Sequence, residues 1–132
     1  MVPLPLASAA TSQPEKVIQL IKAELPGLRV VAAIDVASGK CLASYCRPRA
    51  PAAEWVAEHH ATTVRQQQLA LQAWPGRPEQ LTDMLIPMRR HLHLLRVARK
   101  GEWFVYLAVK ADELSLALAR EVLRMAMKRA GC

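Results

Sequence analysis

With 132 residues, 52% apolar and 22% charged, the chain fits one globular domain with a core of its own and is too apolar for a disordered segment. No apolar run approaches the ~20 residues of a membrane span. Three cysteines without a short C-x-x-C spacing speak against a disulfide framework and a zinc knuckle. The formal net charge of +7 suits an acidic partner or nucleic acid, and equally a solvated surface.

Residues 1 to 11 lack a basic start and are broken by Pro3 and Pro5, so they read as a loose tail rather than a signal peptide, with the domain following from 12 to 132 and a cytoplasmic location expected. Ser12-Gln13-Pro14-Glu15 is a capping box. The helix it opens carries Val17, Ile18, Ile21 and Leu25 on one stripe and stops at Pro26-Gly27. Leu28 to Val36 and Cys41 to Cys46 read as a hairpin, with Gly39 supplying a left-handed turn residue. Its Ala32, Ala33, Ala43 and Ser44 would admit a helix closely. Cys41 and Cys46, five apart on one strand, are expected on opposite faces and so unable to pair easily.

A stiff connection, Arg47 to Pro51, leads into a helix expected to run to about Trp74, with Pro51 suited to its first turn. Its ends are apolar, but its centre, Glu58 to Gln68, is rich in polar side chains. That mixture suits a helix that packs on a sheet with one side and meets a partner with another, or an ordinary surface helix with a narrow stripe. Met84-Leu85-Ile86-Pro87-Met88 reads as an edge strand, because Pro87 lacks a donor for a ladder. His91 to Ala98 and Trp103 to Lys110 read as a hairpin with a two-residue connection, Lys100-Gly101, and the second strand, apolar on both faces, belongs inside the sheet. Asp112 can cap a last helix, Glu113 to about Ala130, whose expected apolar stripe is Leu114, Leu118, Val122 and Met125, widened by Leu116, Leu123 and Met127. Glu121 and Arg124 are placed to pair on it.

The order helix, two strands, helix, three strands, helix, with AAIDVASGKCLASY (Ala32 to Tyr45) and RRHLHLLRVARKGEWFVYLAVKADELSLALAREVLR (Arg89 to Arg124), resembles the roadblock/dynein-light-chain family. The likeness covers about residues 14 to 130 and is most specific at Ser115-Leu116-Ala117-Leu118-Ala119-Arg120. It implies an α+β, profilin-like domain: a five-stranded antiparallel sheet with one long helix on one face and two on the other. It also implies a dimer joined through the middle helices and third strands, acting without catalysis beside dynein, nutrient-signalling scaffolds or bacterial Ras-like GTPases. The Pro-rich loop and the Gln-rich helix centre depart from the simplest members.

Candidate dimer-interface residues are Trp55, Val56, His59 and Thr63 on the middle helix and Met84, Leu85, Ile86 and Met88 on the edge strand, whose unpaired backbone groups call for a cover. Arg89, Arg90, Arg99 and Lys100 are candidate partner contacts. His91 and His93 alternate on one strand face, but no cysteine or carboxylate supports them as metal ligands. No nucleophile constellation and no phosphate-binding glycine loop is present, so neither catalysis nor a cofactor is expected. The basic run Arg89 to Lys100 could serve nucleic acid, but its neighbours Trp103, Phe104 and Tyr106 belong to the covered strand and cannot stack bases. A ligand-sensing pocket between sheet and helix is the other reading, without a convergent polar cluster to support it.

Overall fold

The computed structural model describes residues 11–50 and 52–132, so nearly all of the expected tail, and Pro51, lie outside the described residues. Helix α1 (Gln13–Glu24) begins where the Ser12 hydroxyl accepts from the Glu15 N–H at 3.3 Å. It buries Val17, Ile18 and Ile21, and Gly27 then turns the chain with φ +81°. Strands β1 (Leu28–Asp35) and β2 (Cys41–Cys46) form the first hairpin. Helix α2 (Ala53–Gln72) follows, two residues shorter at its end than Trp74 would place it. Strands β3 (Asp83–Pro87), β4 (His91–Val97) and β5 (Trp103–Lys110) lead to helix α3 (Leu116–Arg129).

The sheet is antiparallel with strand order β2-β1-β5-β4-β3. β5 takes the centre, where Phe104 and Val105 are both fully buried, and β3 takes an edge. Alternation along the strands splits the core in two. Val31, Ala33, Leu94, Val105 and Leu107 face α1 and α3. Val30, Ala32, Ile34, Leu95, Phe104 and Tyr106 face α2. No helix among the described residues is long and apolar enough to cross a membrane.

Four local expectations are corrected. The β4–β5 connection is a four-residue loop, Arg99 to Glu102, closed by Ala98 N–H to the Trp103 carbonyl at 2.9 Å, with Gly101 at φ +76°. α3 starts at Leu116, capped by Ser115 rather than Asp112, since the Ser115 hydroxyl accepts from Leu118 N–H at 3.2 Å. Its buried face is Ala119, Leu123, Ala126 and Met127, while Leu118 is 51% exposed. The alanines let α3 approach α1 closely, so fit outweighs side-chain hydrophobicity in choosing the face. Finally, Cys41 and Cys46 both pack on the α2 side. Ala33 pairs with Ala43 and Ile34 with Cys41, which leaves Leu42 as the extra residue of a bulge that turns Cys41 over.

The polar centre of α2 is largely occupied within the molecule. Its buried stripe is Ala53, Ala57, Ala61 and Val64, small side chains that settle onto the small residues of β1. On one flank, Arg65 donates to the Val36 carbonyl at 2.5 Å and to Glu58 at 2.8 Å, and Gln68 donates to the Gly101 carbonyl at 3.2 Å. These contacts pin α2 to the loops at one end of the sheet. Gly39, at φ +74°, lies so close to Glu58 that a Cβ there would meet the Glu58 Cα at 3.4 Å.

Candidate functional site

α2 lies chiefly over β1 and β2. On that face of the sheet, β4 and β3 have no helix above them among the described residues. The floor left open is Met84 and Ile86 of β3 with Val97 and the histidines of β4, half-buried beside the core. The flank of α2 that borders it carries Val56, His60 and Thr63, with His59 further out; three- and four-residue spacings put them on one side. Val56 and Thr63 are half-buried and His59 is exposed. The candidate interface residues of helix and strand therefore converge on one groove, with exceptions. Leu85 points to the opposite face, following the alternation of β3, and is 38% exposed there. Trp55, 79% exposed, stands on the side of α2 away from the sheet, and Met88 lies beyond the end of β3.

An array of rings lines the groove wall. The His60 ring stacks on Tyr106 with centroids 4.0 Å apart and planes at 26°. The Tyr106 hydroxyl lies 3.1 Å from His93 Nδ1, and His91 sits edge-on to His93 at 6.4 Å. Desolvation pushes the Tyr106 phenol up to about 12 and holds His60, helped by the charges of His93 and His59, down to about 4. Burial and then His91 lower His93 as well. With both groups neutral, Tyr106 and His93 share one hydrogen bond whose direction follows the tautomer: the phenol donates to a bare Nδ1, or an Nδ1–H donates to the phenol oxygen. Among the described residues no three His, Cys, Asp or Glu side chains converge as a metal-ligand set.

The edge strand is latched from the other side. Asp83, whose side chain is only 8% exposed, accepts from Arg96 across the β3–β4 ladder at 2.5 Å and from Arg120 of α3 at 2.8 Å. Sequence reading missed this pairing; the clue was one acid and one base spanning the hairpin between β3 and β4. The basic run is also rearranged. Arg89 and Arg90 lie in the β3–β4 turn, while Arg99 and Lys100 lie in the β4–β5 loop. The length of β4, about 20 Å at 3.3 Å per residue, separates the two pairs at opposite ends of the sheet. They cannot form one patch.

In sequence the chain matches no family model and no curated protein. Among solved structures it is similar to an MglB with a tetrameric arrangement, at TM-score 0.73 and 15% identity over 91% of this chain and 88% of that one. It is similar also to Myxococcus xanthus MglB, at TM-score 0.71 and 13% identity over 88% and 89%. A third likeness is to the Roadblock/LC7 domain from Streptomyces avermitilis, at TM-score 0.69 and 12% identity over 86% and 90%. The fold is that of the roadblock domain. As the roadblock resemblance implied, the long helix α2 holds one face of the sheet and α1 and α3 the other. Within this roadblock fold, the space between α2 and the sheet is filled by Ala53, Ala57, Ala61 and Val64, which works against a ligand pocket at that place.

Proposed function

We propose that this chain is a non-enzymatic, homodimeric regulatory or scaffold protein that binds a protein partner, a small Ras-like GTPase or a signalling complex. The observation that carries the dimer is the half-open face: β3 is an edge strand, and Met84, Ile86 and the flank of α2 border a groove that no other element covers among the described residues. A second copy related by a two-fold axis would pair β3 with β3 and lay the α2 flanks together, satisfying edge backbone and apolar floor at once. The opposite edge, β2, is less suited, because the bulge at Leu42 bends it. The regulatory role draws on the roadblock fold, which the structurally similar MglB proteins share, and on the absence of a nucleophile or phosphate-loop motif in the sequence.

Light scattering at micromolar concentration tests the assembly. The wild-type protein should have twice the protomer mass. Ile86→Glu, which would bury an unpaired charge in the groove, should halve it. Thr63→Arg, on the outward flank of α2, should do the same without touching the core. A monomeric wild type, or variants that keep the doubled mass, would refute the dimer. Capture of partners from the source cell, followed by mass spectrometry, tests the GTPase; recovery of no GTPase would count against that partner.

A further inference from the structure

The ends of three neighbouring strands bring Arg29, His91 and Lys110 together at one end of the sheet, and the β3–β4 turn adds Arg89 and Arg90. They surround an open cleft of about 470 Å³, with Asp112 as the one acid in its lining among the described residues. The backbones beneath them are held by cross-strand bonds. Lys110 faces His91 directly in the ladder, and the Arg90 carbonyl accepts from Ala111 N–H at 2.9 Å. Arg29 is the extra residue of a bulge between Leu28 and Val30, and its carbonyl accepts from Arg47 N–H at 2.9 Å.

Among the described residues, this end gathers three unpaired arginines around one cleft. At the far end Arg96 and Arg124 are committed to Asp83 and Glu121, and Arg99 and Lys100 are in no ion pair among the described residues. Here Lys110 has a long contact with Glu113 at 3.7 Å, and among the described residues none of Arg29, Arg89 and Arg90 is in an ion pair. Several unneutralised cations on a rigid frame repel one another, and a ligand of opposite sign relieves that repulsion without first having to order the site.

We infer that this cleft docks an acidic segment of a partner protein, its carboxylates received by Arg29, Arg89 and Arg90. Guanidinium forks match carboxylates two bonds at a time, which favours arginine over lysine in such a place. The chemistry favours peptide over nucleic acid because, among the described residues, no aromatic ring other than His91 lines the cleft to stack a base. It favours peptide over a lipid surface because the cations ring a recess. This assignment rests on the reading of the chain as a platform for a protein partner, and is independent of the two-fold assembly.

Fluorescence anisotropy of the full chain with a labelled Glu- and Asp-rich peptide at ~0.15 M salt tests it, with a single-stranded oligonucleotide of equal charge and phosphatidylserine vesicles as competing probes. The peptide should bind saturably and more tightly than either competitor. The double change Arg89→Glu and Arg90→Glu should weaken binding by about tenfold or more, while Arg99→Glu at the far end should change it by less than about twofold. An equal loss from Arg99→Glu, tighter binding of oligonucleotide or vesicles, or no saturation would overturn the inference. Light scattering on the same samples keeps the questions apart: a dimer that fails to bind refutes the cleft, and a monomer that binds refutes only the assembly.

Discussion

The His60 imidazole is held neutral to about pH 4 by its burial against Tyr106 and by the charges of His93 and His59. In the unfolded chain the ring takes up its proton near the ordinary 6.5, so between about 6.5 and 4 the unfolded state binds more protons than the folded one. Stability therefore falls as the solution is acidified through that window, and is independent of this group above it. The effect is on the order of 1–2 kcal/mol once the ring's partial solvent access is allowed for. His93 acts in the same direction. His60→Phe keeps the stacking and removes the titration. In urea unfolding, the wild type should lose ground to this variant between pH 7 and 5, and parallel profiles would refute the assignment. The histidines were visible in the sequence as a strand pair and a helix pair, but their meeting through Tyr106 was not, because those segments are far apart in the chain.

Among the elements, β3 depends on a single acid. Asp83 joins β3 to β4 through Arg96 and to α3 through Arg120. Asp83→Asn removes the charge from a nearly buried site facing two guanidinium groups and should cost about 1–3 kcal/mol in chemical denaturation. Arg120→Met, which alters only the partner that is 56% exposed, should cost less than about 1 kcal/mol. Equal losses would show that Asp83 is not the joint. The strands were legible because alternation and turn residues act locally. The faces of the helices were less so: Ala53, Ala57 and Ala61 form the contact stripe of α2, yet alanine carries little weight in any hydrophobic pattern.

At the scale of the whole molecule, the proposed dimer couples folding to concentration. If the protomer loses its cover on dissociation, raising protein concentration tenfold should raise Tm by several degrees, and Ile86→Glu should abolish that dependence. A Tm indifferent to concentration in the wild type would contradict an assembly that stabilises the fold. The open half of the sheet could not be seen in the sequence, which showed an edge strand and a helix of mixed polarity. That the two border the same groove follows from α2 lying over β1 and β2 and leaving β4 and β3 without a helix on that face among the described residues.

By itself the sequence determined the order of the elements, the central place of Trp103–Lys110 and the edge place of the strand containing Pro87. Apolar faces, prolines and glycines act on their own neighbourhood, so their message survives without the rest of the chain. Only the tertiary structure decided which way the side chains of β2 turn, since one bulge at Leu42 reverses a face. It alone joined Asp83 to Arg120, set His60 on Tyr106, and parted Arg89 and Arg90 from Arg99 and Lys100 along the length of β4. It also set Arg29 and Lys110 beside the first pair. These arrangements depend on register and crossover between distant segments, which no local pattern of residues contains.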